Sequence, residues 1–129
     1  MPVPQKRPVD TLERLFHEPN RLSIVSALVG SIDGLTFQAL KQACGLTDGN
    51  LSRHLQTLEN AGIIDIKKTF VGKRPQTTAA ISKKGKQRFL EYIETLEAVL
   101  QEAAAKLKTE QEQHNEQAIG LDDATLVRA

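Results

Sequence analysis

The 129-residue chain has one cysteine, Cys44, no tryptophan and only 4% aromatic residues. A single cysteine excludes an internal disulfide, and a zinc site would need nearly all its ligands from other residue types. The histidines, His17, His54 and His114, are widely separated in the sequence, so we expect no bound metal. The lack of disulfides fits a reducing, cytoplasmic setting.

Long apolar runs and catalytic motifs are also missing. No stretch approaches the roughly 20 apolar residues of a membrane span, and the opening MPVPQKRPVD lacks the apolar segment of a secretory signal. The sequence has no HExxH-type zinc motif, no glycine-rich phosphate loop and no evident catalytic triad. We therefore expect no membrane association, no enzymatic activity and no cofactor.

Prolines and capping residues organise the start of the chain. Three prolines and no regular periodicity indicate a flexible arm over residues 1–8. Asp10 and Glu13 form a capping-box-like pair, which predicts a short helix ending near Glu18. Pro19, a residue tolerated at a first helical position, predicts the start of the next helix. Its predicted buried stripe is Leu22, Val25, Leu28 and Val29.

Two further helices are predicted around a short glycine-containing turn. Thr36 would cap the first, which ends at Gly45, a residue suited to the left-handed conformation beyond a helix end. Its predicted inner face is Phe37, Leu40 and Ala43. The second, over residues 48–61 with Thr47 or Asp48 as its cap, carries apolar positions at four- and three-residue spacing. These are Leu51, Leu55 and Leu58.

The periodicity then changes to that of strands. Residues 63–71 are rich in β-branched side chains and residues 76–81 resume that pattern, with turn residues between them. The predicted fold is therefore mainly α with a small β-hairpin, an α+β winged helix-turn-helix. We assign residues 9–88 to this domain and residues 67–81 to its wing.

The last predicted helix, capped by Ser82, has a heptad pattern. Its apolar residues recur at alternating steps of four and three: Phe89, Ile93, Leu96, Leu100, Ala103 and Leu107. Residues 89–113 are therefore predicted to form a dimerisation helix, followed by a weakly ordered tail over residues 114–129. The predicted dimer contacts, with help from the first short helix, are Leu12, Leu15, Phe16, Leu96, Leu100, Ala103 and Leu107.

Charge is distributed unevenly along the chain despite a net charge of +1. Residues 67–88 hold eight lysines and arginines and no acidic residue, which suits contact with DNA phosphates. On the helix before the wing, the outward positions carry side-chain types that read base edges. The predicted DNA contacts are Thr36, Asn50, Ser52, Arg53, His54, Gln56, Thr57, Lys68, Lys73 and Arg74. For His54 a purely structural role is the alternative.

The sequence from Leu46 to Ile64, with its Leu-Ser-x-His-Leu-x-x-Leu-Glu-x-Ala-Gly pattern, resembles the helix-turn-helix core of winged-helix regulators related to the ArsR and MarR families. Residues 70–78 and 81–85 are similar to their wing and to the opening of their last helix. The resemblance covers roughly residues 10–105. It implies a homodimeric repressor or activator in which Asn50, Ser52, Arg53 and Gln56 approach bases while Lys73 and Arg74 lie on the wing. The chain lacks the Cys-x-Cys and the His/Asp pair of the metal-sensing branch.

These features predict a regulator that binds a pseudo-palindromic operator in double-stranded DNA as a homodimer. No residue indicates a small-molecule effector, although a dimer of this kind has room for one. The alternative is a winged-helix module that binds an acidic protein partner and never contacts DNA. Low aromatic content argues against a binder of single strands or RNA.

Overall fold

The computed structural model describes the backbone of residues 13–128 and the side chains of residues 13–116. The predicted arm over residues 1–8, the capping residue Asp10 and the dimer residue Leu12 lie outside this range. In chain order the elements are α1 (Pro19–Val29), β1 (Leu35–Thr36), α2 (Phe37–Cys44), α3 (Asp48–Asn60), β2 (Ile64–Val71), β3 (Arg74–Ile81) and α4 (Lys83–Arg128). The winged-helix fold with a long last helix is confirmed.

Residues 13–18 form turns rather than the short helix that the sequence predicts. The Glu13 carbonyl accepts hydrogen bonds from the amides of Phe16 and His17, at 3.2 and 2.9 Å. Glu18 then has an extended backbone and becomes the N-cap of α1, because a residue that precedes proline disfavours the helical conformation. The prediction that Pro19 begins a helix is confirmed.

The three short helices, one face of the sheet and the N-terminal part of α4 enclose an apolar core. Leu51, Leu55 and Leu58 of α3 are buried, as predicted. Two predicted inward positions are exposed instead, Val29 at the end of α1 and Ala43 in α2. Ile24 of α1 is fully buried although the predicted stripe omitted it.

The sheet has three antiparallel strands in the order β1-β3-β2, one more than the predicted hairpin. β1 pairs only Leu35 with Ala79 and Thr36 with Thr78, and a two-residue strand is too short to show any alternation in the sequence. Pro75, expected in the turn, lies within β3 opposite Phe70.

Helix α4 begins directly after Ser82, whose side chain connects the start of this helix to the residues that follow α3. The Ser82 hydroxyl accepts from the Gly85 amide at 2.9 Å and lies 2.7 Å from the Gly62 carbonyl oxygen, to which it donates. The helix continues to Arg128, beyond the end predicted near residue 113. Within the described residues no helix is both long and apolar enough to cross a membrane.

Candidate nucleic-acid interface

The turn between α2 and α3 is held by local capping and by one ion pair. Gly45 ends α2 in the left-handed conformation, with φ of 64°. Thr47 caps α3, its hydroxyl oxygen accepting from the Asn50 amide at 3.2 Å. Across the turn, Nζ of Lys41 lies 2.8 Å from Oδ1 of Asp48. These contacts fix α3 relative to the helix that supports it.

The outward side of α3 carries most of the predicted base-reading side chains. Asn50, Ser52, Arg53, Gln56 and Thr57 are all exposed. Nη2 of Arg53 donates to Oδ1 of Asn50 at 3.2 Å, and the Thr57 hydroxyl donates to the Arg53 carbonyl at 3.1 Å. In the free protein the side chains of Asn50, Arg53 and Thr57 therefore make hydrogen bonds within their own helix, and all three remain exposed to solvent.

His54 does not belong to this outward side, which corrects its assignment as a DNA contact. The residue is only 7% exposed, because it lies three positions after Leu51 and so falls on the inner face of α3. Its Nδ1 is 3.5 Å from Nη1 of Arg21 and 3.9 Å from Oε2 of Glu18. The burial of His54 therefore supports the purely structural role that was the alternative prediction for this residue.

Glu18, Arg21 and His54 form a cluster on the inner side of α3, and Glu18 is its acidic member. Burial acts to raise the pKa of its carboxyl group. Hydrogen bonds from the amides of Arg21 and Asn20, with the charges of His54 and Arg21, outweigh burial and hold that pKa below its ordinary value. The cluster joins α1 to α3 and stabilises the position of α3 from behind.

A groove of about 690 Å³ lies between α3 and the wing. Ser52 and Gln56 of α3 line it on one side, and Lys68 of β2 lines it on the other. The polar side of α3 and the wing therefore open onto one surface. Glu59, at the far end of α3, also lines this groove and was not among the predicted site residues; its position three residues after Gln56 was the available signal.

A second concave region of about 490 Å³ lies between the start of α2 and the wing. Thr36 and Arg74, both predicted DNA contacts, line it together with Gln38. The Thr36 hydroxyl oxygen accepts from the Ala39 amide at 3.1 Å as the cap of α2. Gln38 was not predicted, although its place two residues after a helix cap could have indicated it.

The basic segment is exposed except at its last residue. Arg88 is half-buried and forms an ion pair with Glu13 at 2.9 Å, so it does not add to a DNA-facing charge. The other seven basic side chains of this segment are exposed, and no carboxylate of residues 13–116 lies within 4.0 Å of them. They are Lys67, Lys68, Lys73, Arg74, Lys83, Lys84 and Lys86.

The predicted dimer contacts separate into two groups. Phe16 is fully buried, with its ring centroid 5.2 Å from that of Phe89 and 5.5 Å from that of Tyr92. It is therefore a core residue of one chain and not a dimer contact. Leu15 and Leu96 are partly buried against that same core. Leu100 and Leu107 are 56% and 65% exposed, and Ala103 between them is exposed as well.

A supported helix with a polar outer side, followed by a basic hairpin, defines a winged helix-turn-helix protein. The model of the winged helix DNA-binding domain family matches residues 20–100, and the chain belongs to that family. A protein of Methanocaldococcus jannaschii, described as uncharacterized, is 36% identical over 80 residues, which cover 62% of this chain and 86% of the relative.

Two solved structures share the fold of this chain. A transcriptional regulator homologue from Pyrococcus horikoshii OT3 aligns with a TM-score of 0.64 and 27% identity, over 69% of this chain and 87% of that chain. NadR, solved in complex with 4-hydroxyphenylacetate, aligns with a TM-score of 0.53 over 93% of this chain and 96% of that one. At 17% identity the second similarity shows the fold alone. The resemblance to winged-helix regulators is confirmed.

Proposed function

We propose that this protein is a cytoplasmic, non-catalytic transcription regulator that binds double-stranded DNA sequence-specifically as a homodimer. The observation that carries the proposal is the groove onto which Ser52, Gln56 and Lys68 all open. It brings a base-reading helix face and a basic strand to one surface. A duplex presents base edges within its grooves and phosphates along their margins, so a surface of this kind can contact both.

Helix α3 would lie in the major groove, with its N-terminal half nearest the bases. Arg53 suits the two acceptors of guanine, and Asn50 or Gln56 suits the donor and acceptor of adenine. Arg53 and Asn50 would exchange their mutual hydrogen bond of 3.2 Å for bonds to bases. Because new hydrogen bonds replace the one that is broken, binding leaves neither side chain without a hydrogen-bond partner.

The wing and the start of α4 would supply the phosphate contacts. Lys68, Lys73 and Arg74 are exposed on the wing, and Lys83, Lys84 and Lys86 on the first turn of α4. Each phosphate neutralised releases condensed counterions, so affinity is expected to fall steeply with salt. Arg88 takes no part in this, because Glu13 already pairs with it.

The exposed half of α4 would form the dimer interface. Leu100, Ala103 and Leu107 lie on one face at heptad spacing, and all three are exposed among the side chains that the structure describes. Burying such a stripe against its copy gives a two-fold dimer. Two α3 helices about 34 Å apart would then read the halves of a pseudo-palindrome.

Selection of bound fragments from random duplex DNA by the full chain tests this proposal. We expect an enriched inverted repeat whose half-sites are about one helical turn apart. If no fragment is enriched and random duplex fails to bind even at low salt, the protein is not a DNA-binding regulator. Retention of an acidic protein by the same chain would then favour the protein-interaction alternative.

A further inference from the structure

The tip of the wing exposes apolar side chains. Phe70 is 73% exposed and Val71 is 62% exposed. Of the three other phenylalanines in the chain, Phe16 and Phe89 lie in the core and Phe37 packs against it. An aromatic ring held in solvent at the end of a hairpin loses the stabilisation that burial gives the others. Its position suggests a contact outside the monomer.

Strand register places Phe70 on the same side of the sheet as the groove beside α3. Phe70 pairs with Pro75, and two residues earlier Lys68 pairs with Thr77. Directly paired residues share a face, and residues two apart on a strand share it as well. Because Lys68 and Thr77 line the groove, Phe70 and Pro75 continue that surface toward the tip. Val71, the next residue, lies on the opposite face.

The surroundings of the ring are cationic. Lys68 precedes Phe70 on its own face, and Lys73 occupies the turn. Neither lysine has a carboxylate of residues 13–116 within 4.0 Å. An apolar tip flanked by exposed cations complements a surface that is anionic outside and apolar inside. The minor groove of a duplex, with phosphates along its edges and stacked bases and sugars within, has this character.

We propose that Phe70, backed by Pro75, enters the minor groove and wedges partly between two base pairs. Lys68 and Lys73 hold the flanking phosphates, and the ring replaces part of the stacking that the opened step loses. Phenylalanine and proline are among the residues used as such wedges, which kink the duplex toward the major groove. The site would therefore prefer a flexible pyrimidine–purine step under the wing, a position that no hydrogen bond reads. This inference rests on the proposed function, since it concerns the same DNA complex.

Val71 provides a matched control for Phe70. Both side chains are exposed and adjacent, but they lie on opposite faces of β2. Because Val71 pairs with Arg74 and lines the second concave region with it, Val71 is a control for bending of the duplex and not for affinity. The experiment compares full-length wild type, Phe70→Ala, Phe70→Leu and Val71→Ala on the duplex obtained by selection. Affinity is measured by fluorescence anisotropy over a salt series. Bending is measured by energy transfer between dyes on the two duplex ends, and thermal unfolding confirms that each variant folds.

Phe70→Ala is expected to weaken binding at least about fivefold, the lower end of what an aromatic ring stacked on a base contributes. Its salt dependence should stay parallel to that of wild type because no charge is lost. The duplex should be straighter in its complex, while Phe70→Leu keeps most of the bend and Val71→Ala bends the duplex as much as wild type does.

Equal effects of Phe70→Ala and Val71→Ala on the bend would overturn the wedge, as would an unbent duplex with wild type. If Phe70→Ala leaves DNA binding intact, the exposed ring serves another partner, such as a protein, and the inference is wrong while the proposed function stands. Failure of wild type itself to bind duplex DNA at low salt would instead reject the proposed function.

Discussion

Glu13 and Arg88, separated by 75 positions in the sequence, form a bidentate ion pair. Nε of Arg88 donates to Oε1 of Glu13 at 3.0 Å, and Nη2 donates to both carboxylate oxygens at 2.9 and 3.0 Å. Nη1 of Arg88 reaches the Ala61 carbonyl at 3.4 Å. One guanidinium thus connects the turn before α1, the end of α3 and the long helix α4, so this arginine belongs to the scaffold.

Removing this ion pair is expected to cost modest stability. Both side chains are about one-third exposed, so solvent screening limits the contribution, and we expect a coupling of about 1 kcal/mol for a bidentate arginine–carboxylate pair. The measurement is a double-mutant cycle with Glu13→Ala and Arg88→Ala, using urea unfolding. The exposed pair Lys106 and Glu102, 3.5 Å apart within α4, serves as control and should couple by no more than about 0.5 kcal/mol. Equal couplings for the two pairs would contradict the scaffold role.

Gly85 should be intolerant of any side chain. A Cβ at this position would overlap the carbonyl oxygen of Ile63 and lie 3.0 Å from Cγ1 of Ile81. Although alanine favours helices over glycine by about 1 kcal/mol, the overlap forces α4 away from the sheet, and we expect a net loss of about 1–3 kcal/mol.

Gly49 is the matched control for Gly85. It also lies in a helix, but a Cβ there meets nothing within 4 Å. Gly49→Ala should therefore leave the free energy of unfolding unchanged or raise it by up to about 1 kcal/mol. The measurement is thermal and urea unfolding of both variants. A Gly85→Ala protein as stable as wild type would show that α4 does not approach Ile63 this closely.

Arg53 and Lys73 should affect DNA binding in different ways. Arg53→Ala removes a base-reading group and is expected to cost about 1–3 kcal/mol of discrimination at one position of the site. Lys73→Ala removes a phosphate contact, so it should weaken all duplexes about equally and reduce the slope of log affinity against log salt by about one. Anisotropy titrations with selected and scrambled duplexes at several salt concentrations separate the two. If neither variant differs from wild type, α3 and the wing do not face DNA.

Charges in the apolar stripe of α4 should separate the proposed dimer. Leu100→Glu combined with Leu107→Glu would place four carboxylates at the interface of two chains, where desolvation and repulsion oppose association. Sedimentation should show a shift to monomer, and affinity for a two-half-site duplex should fall toward that for one half-site. Gln101→Glu, exposed beside the stripe, is the control and should stay dimeric. A double variant that remains a dimer would place the interface elsewhere.

Local signals predicted much of this molecule. The cap at Thr36, the left-handed glycine at Gly45 and the proline that opens α1 each depend on a few neighbouring residues, so they could be inferred before any fold was known. The outward positions of α3 followed from its periodicity in the same way. The failed prediction of a helix over residues 13–18 shows the limit of such local signals: Phe16 there is buried in the core, a contact with distant residues that a capping pattern does not reveal.

Contacts between distant segments could not be obtained in this way. The burial of His54 depends on Glu18 and Arg21 in another helix, the loss of Arg88 from the basic surface depends on Glu13, and β1 exists only because β3 pairs with it. The groove shared by Gln56 and Lys68 is likewise a product of how α3 packs on β2. Periodicity, caps and charge order act over a few residues along the chain and so determined the elements and the basic segment. Burial and ion pairing depend on which distant groups come into contact, and for these the packing of the folded chain was decisive.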